Sequence, residues 1–197
     1  MRLRHGMYPV AVALIVGVGG YRHAPRGTLA AAHAAEAVPP TPLVLELQQG
    51  ERRVRRLPMG GASAPFILKV DSQNGGSQDL VMGSEDVAPG RTIAAHRHLL
   101  ADEIIFVRAG AGVVELGERQ TPFGPGATIY IPKNTRVSVH NTGTATLAIA
   151  FIFSKPGFEA YMRDTSVPEG QPIVPLSTAE LTAIRARHQS HTVYEQP

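Results

Sequence analysis

Residues 89–112 read PGRTIAAHRHLLADEIIFVRAGAG. Pro89-Gly90 opens the stretch with a turn signal, and Gly110-Ala111-Gly112 closes it with another. Between them lie two short runs of strand length. His96 and His98 stand one residue apart on the first run. Side chains alternate across a strand, so both imidazoles face one side and Arg97 faces the other. Glu103 opens the second run. A chain reversal within LLADE brings its carboxylate beside the histidine pair. Two imidazoles and one carboxylate on adjacent strands offer three donors on one side of a divalent ion, with the opposite positions open. Both donor types bind metal at neutral pH without unusual ionisation.

The same punctuation continues outward from this stretch. Strands are expected at 43–47 (LVLEL), 52–57 (RRVRRL), 66–70 (FILKV), 79–87 (DLVMGSEDV) and 91–98. Further strands are expected at 102–108, 111–116, 127–131, 135–140 and 145–153. Turn signals at Asn74-Gly75, Gly124-Pro125-Gly126, Lys133-Asn134 and Asn141-Thr142-Gly143 separate several of them. Short strands at regular spacing predict an all-β sandwich or barrel. The arginines at 52, 53, 55 and 56 read as a solvated edge strand, where charge blocks unwanted pairing. Phe106, Phe123, Phe151 and Phe153 read as barrel core. After residue 153 the pattern turns helical. A short helix is expected over 156–164, and a second over 177–189, opened by a capping box of Ser177 and Glu180. His188 and His191, on and beyond that helix, read as solvated.

The opening stretch resembles the first conserved motif of the cupin superfamily, G-x5-H-x-H-x4-E-x6-G. Gly90, His96, His98, Glu103 and Gly110 satisfy every spacing. Residues 126–141, GATIYIPKNTRVSVHN, resemble the second motif, G-x5-P-x-G-x2-H-x3-N, with Gly126, Pro132 and Asn141 in register. Two positions depart from it. Asn134 stands where a glycine is expected, a mild change because Asn tolerates positive φ. Val137 stands where the family places a fourth metal ligand, a histidine. His140 is the nearby substitute, but a regular strand turns a residue three positions on to the opposite face. The resemblance covers about residues 79–153. It implies a jelly-roll-like cupin barrel, a double-stranded β-helix. From the residue pattern, 38–78 are expected to pack on it as N-terminal strands and loops, and 154–197 to form a short C-terminal helical extension. It also implies metal ligation by His96, His98 and Glu103, with iron, manganese or zinc as candidate ions. Edge-strand pairing in the family makes a homodimer plausible. Tyr130, Arg91 and Glu115 are candidates for supporting roles around the metal.

Composition narrows the function classes. Residues 1–37 have the layout of a signal peptide: Arg2 and Arg4, an apolar run near 10–18, and A-x-A cleavage sites ending at Ala37. Export to the periplasm or outside the cell is expected, with membrane attachment only if the leader stays uncleaved. Four of the nineteen basic residues and one of the sixteen acidic ones precede Val38, leaving fifteen of each. A nearly neutral mature domain gives no electrostatic case for nucleic acid. There is no cysteine, so thiolate-bound zinc and iron–sulfur sites are excluded. The residues point to a divalent metal serving small-molecule chemistry, with oxygenation the leading reaction. The alternative from another class is a non-catalytic module that binds a small ligand or a partner.

Overall fold

The computed structural model describes residues 39–58 and 64–195. The expected leader lies outside them, and among them no helix is long and apolar enough to cross a membrane. Among the described residues, ten strands precede the first helix: β1 (Glu51–Arg55), β2 (Phe66–Val70), β3 (Val81–Val87), β4 (Thr92–His98), β5 (Glu103–Ala109), β6 (Gly112–Leu116), β7 (Arg119–Phe123), β8 (Thr128–Ile131), β9 (Val137–His140) and β10 (Leu147–Phe153). Then come α1 (Phe158–Asp164), β11 (Ser166–Pro168), α2 (Thr178–His188) and β12 (Thr192–Tyr194). They form two antiparallel sheets. One has the order β11-β1-β2-β3-β10-β5-β8, the other β12-β4-β9-β6-β7. The expected fold class holds: mostly strands in two packed sheets, with two short helices after them.

Alternation along the strands builds the interior. On β10, Leu147, Ile149, Phe151 and Phe153 are buried, while the residues between them are half-buried. With Val107, Val114, Val137 and Val139 from both sheets, Leu147 and Ile149 form one apolar cluster. Phe151 and Phe153 join a second cluster with Phe66, Leu68, Val81 and Met162 of α1. Two glycines permit close approaches. At Gly83 the Phe151 ring occupies the space a Cβ would need, with Cζ at 2.3 Å from that point. Gly110 has φ of 82°, and a Cβ there would lie 2.6 Å from the Thr146 carbonyl oxygen.

Several expectations need correction. Residues 43–47 form no strand: Leu43, Val44 and Leu47 are exposed, and no neighbouring strand pairs with them. The arginine cluster is no solvated edge. Ser166–Pro168 pairs outside β1, and the arginine side chains are engaged. Arg52 binds Glu169 and Gln48, and Arg53 donates to Ser166 Oγ at 2.7 Å. Arg55 grips both carboxylate oxygens of Glu85 at 3.1 and 2.9 Å. β7 escaped the sequence reading because RQTPF carries Pro122 and buries neither face, which an edge strand tolerates. Phe106 lies exposed on the outer sheet face with Ile104 and Tyr130. His188 is not solvated either: its Nε2 lies 2.8 Å from Asp164 Oδ2.

The tail packs back on the sheets. Tyr161, Leu176 and Ile184 make a third apolar cluster, against which Phe158 and Tyr194 lie. Ser177 caps α2 by the reciprocal capping box with Glu180. β12 pairs with β4, setting Thr192 opposite His98 and Tyr194 opposite His96.

Candidate metal centre

His96 and His98 occupy alternate positions of β4 and are both buried, while Arg97 between them reaches the Asn134 carbonyl. The reversal at Leu99–Asp102 starts β5 at Glu103, which is also buried. The three residues offer donor atoms that all lie within 4.8 Å of one another. The two Nε2 atoms are 3.0 Å apart. That is the separation of two donors placed at about a right angle, each about 2.1 Å from a shared ion. His98 Nε2 is 3.5 Å from Glu103 Oε2.

The surroundings orient these donors. His96 Nδ1 lies 2.7 Å from the Ala94 carbonyl oxygen. A carbonyl can only accept, so Nδ1 carries the proton and Nε2 presents a lone pair. His98 Nδ1 lies 3.2 Å from Thr192 Oγ1 on β12. Such contacts fix ring orientation in metal sites. Burial pushes His96 below the usual imidazole range and His98 down to about 2, with His96 adding to the effect on His98. Burial also lifts the Glu103 carboxyl to about 8, helped by the charge of Glu85. The His98–Glu103 contact is therefore no ion pair. Glu103 Oε2 is buried with no hydrogen-bond partner. A buried carboxyl oxygen without a hydrogen-bond partner, beside two imidazole nitrogens 3.0 Å apart, fits a divalent cation, which displaces the carboxyl proton and gives all three donors a partner.

Val137 stands opposite His96 in the β4–β9 register and is fully buried among aliphatic residues. His140 does not replace the missing histidine there. Its Nδ1 lies 3.1 Å from Thr92 Oγ1 and its Nε2 lies 3.1 Å from Ser138 Oγ. Ser138 in turn donates to Glu115. His140, Ser138, Glu115 and Arg136 thus form a network on the face of β9 opposite Val137 and Val139. Of the candidate supporting residues, Glu115 belongs to that network, Tyr130 is exposed on the other sheet, and Arg91 lines a cavity that reaches Glu103. Asn134 has φ of 63°, as its glycine-like place requires. Asn141 closes its turn, donating to the Val87 and Ala145 carbonyls and accepting from Gly143 N.

The sequence reading missed the residues that cover the centre. Phe158 meets the His98 ring edge-on at 4.5 Å, and Tyr194 stacks on His96 at 5.3 Å. Thr192 was missed as well. All three lie far along the chain, and no local spacing ties them to β4; a three-residue strand such as TVY gives little periodic signal.

Comparison with known proteins agrees with this architecture. Residues 83–153 match the family described as "Cupin domain". Over 70 residues the chain is 36% identical to protein SchB of Streptomyces halstedii, covering 36% of this chain and 51% of that one. The chain thus spans about half the length of the curated relative it matches. A predicted oxalate decarboxylase from Thermotoga maritima superposes with a TM-score of 0.50 at 16% identity, over 58% of this chain and all of that one. A cupin 2 conserved barrel domain protein from Salinispora arenicola gives 0.40 at 16% identity, over 62% and 83%.

Proposed function

From the premise that residues 83–153 form a cupin domain, we propose that this protein binds one divalent metal ion through His96, His98 and Glu103 and uses it for small-molecule chemistry, with oxygenation the leading reaction. Cupin domains commonly bind small molecules. The observation that carries the reading is the convergence of two neutral imidazoles and an unpartnered carboxyl oxygen in a buried site. Such a set, when it holds an ion, supplies a Lewis acid with vacant coordination positions and, with Fe(II), oxygen chemistry. The chain's own contributions are separable. Ala94 and Thr192 orient the imidazoles. Phe158 and Tyr194 shield them from bulk water.

Two further parts belong to the reading. Export is supported by the signal-like residues 1–37. A homodimer is supported by the exposed apolar residues Ile104, Phe106 and Tyr130 beside the edge strand β8.

The direct test is metal content. The purified protein is expected to retain about one equivalent of divalent ion by elemental analysis, and His96→Ala or Glu103→Ala is expected to lose it. Unchanged content in both variants would overturn the assignment. Oxygen consumption by the Fe(II)-loaded protein over a phenolic panel tests the reaction. A flat response across metals and substrates favours a ligand-binding module instead.

A further inference from the structure

Next to the metal centre lies a cavity of ≈ 540 Å³ that reaches Glu103. That volume suits a small organic molecule. Two kinds of wall meet in it. The first is aromatic: Phe151, Phe153, Phe158, Tyr161 and Tyr194 all line it. Successive rings from Phe151 to Phe158 and on to Tyr194 are 5.2–5.5 Å apart, so they form a continuous π-surface. Aromatic surfaces of this kind favour flat, apolar bodies in offset or edge-to-face contact.

The second wall is cationic. Arg55, Arg56, Arg91 and Arg185 line the cavity, against the carboxyls of Glu85, Asp86 and Glu103. Those carboxyls are already committed. Arg55 holds both oxygens of Glu85. Asp86 pairs with Arg108 at 3.3 Å. Glu103 belongs to the metal centre. Arg56 donates to the Val174 carbonyl oxygen at 2.8 Å and lies 3.9 Å from Glu180. The other two guanidinium groups are less well answered. Arg91 is exposed to solvent at the mouth, and among the described residues its side chain makes no hydrogen bond or ion pair. Arg185 stacks its guanidinium 4.7 Å over the Tyr194 ring, yet its Nε is buried without a hydrogen-bond partner. Guanidinium groups in this state bind carboxylates well, because their planar N–H donors match the two oxygens.

We propose that the cavity takes a planar aromatic carboxylate, with its ring against the aromatic wall and its carboxylate held by Arg91 and Arg185. The inference deepens the metal-site reading and rests on it only for where the reacting end of the molecule lies. An aliphatic anion would leave the aromatic wall unused. A neutral aromatic would leave the arginines unanswered.

The test uses benzoate as probe, with benzamide and acetate as controls, by calorimetric titration of the full chain. It is run once with chelator present and once after loading with Zn²⁺. Benzoate is expected to bind at least about tenfold more tightly than either control. Arg185→Gln and Arg91→Gln should each weaken benzoate by about tenfold and leave benzamide and metal content unchanged, while Arg185→Lys recovers part of the loss. Both positions sit outside the apolar clusters, and circular dichroism verifies that the variants fold. Equal affinity for benzoate and benzamide, equal affinity for benzoate and acetate, or indifference to both arginine substitutions in folded protein would overturn the proposal. Failure of the metal reading has a different signature: no Zn²⁺ is retained, while arginine-dependent benzoate binding persists.

Discussion

At the scale of single residues, the proposed metal centre is defined as much by Val137 as by the three candidate donors. Its side chain is fully buried and lies opposite His96 in the strand register. An imidazole at this position would enter the same interior as the other two. Val137→His is therefore expected to slow extraction of bound Zn²⁺ by a chelator, since a fourth donor must also be displaced. The same substitution should lower the stability of the metal-free protein by about 1–3 kcal/mol, because a buried imidazole is left without a partner. Competition with a chromogenic chelator and urea unfolding measure the two effects. An extraction rate equal to that of the parent protein would show that position 137 does not face the ion. His140 offers no such route, because its ring is held by Thr92 and Ser138 on the other face.

At the scale of elements, the junction between the N-terminal strands and the helical tail depends on partly buried charge. Arg163 of α1 donates to Glu51 of β1 at 2.6 Å and to Asp71, after β2, also at 2.6 Å. Asn74 and Arg53 also donate to Glu51. Burial alone would push the Glu51 carboxyl up, but the hydrogen bonds from Arg163, Asn74 and Arg53 outweigh it and hold the group at about 2, against an ordinary value of 4.5. A depressed folded pKa means the unfolded chain binds the proton more readily. The stabilisation is then complete above about pH 4.5, declines as the pH falls, and is gone once the pH passes below about 2. Urea unfolding measured from pH 5 to pH 2 should show this loss, and Glu51→Gln should be less stable at pH 5 and flatten that part of the profile. An identical acid slope in the variant would mean the junction is not held by this carboxylate.

At the scale of the whole molecule, the tail acts as a cover for the barrel. α1 supplies Phe158, and β12 supplies Thr192 and Tyr194, so the donors on β4 are oriented and shielded by chain about 60 to 100 residues away. This explains which parts of the molecule were legible in the sequence. Strands flanked by glycine and proline turns, such as β4, β5 and β10, carry a period-two pattern that is local and readable. The convergence of His96, His98 and Glu103 was readable because their spacing is local too. The capping box at Ser177 falls in the same class. What could not be read depends on pairing between distant segments. The LVLEL segment has strand-like residues but no partner, whereas SVP and TVY are poor strands that find one. The inward turn of Arg55 toward Glu85 follows from the position of β1 between β2 and β11, which no local pattern encodes.

The most direct test of the account is a crystal of the protein grown with Zn²⁺ or Mn²⁺ and measured at the absorption edge of the ion. The account predicts a single anomalous peak within about 2.0–2.3 Å of Nε2 of His96, Nε2 of His98 and one carboxylate oxygen of Glu103. Anomalous signal confined to other sites, or a fully ordered triad with no peak between its donors at saturating ion, would contradict it.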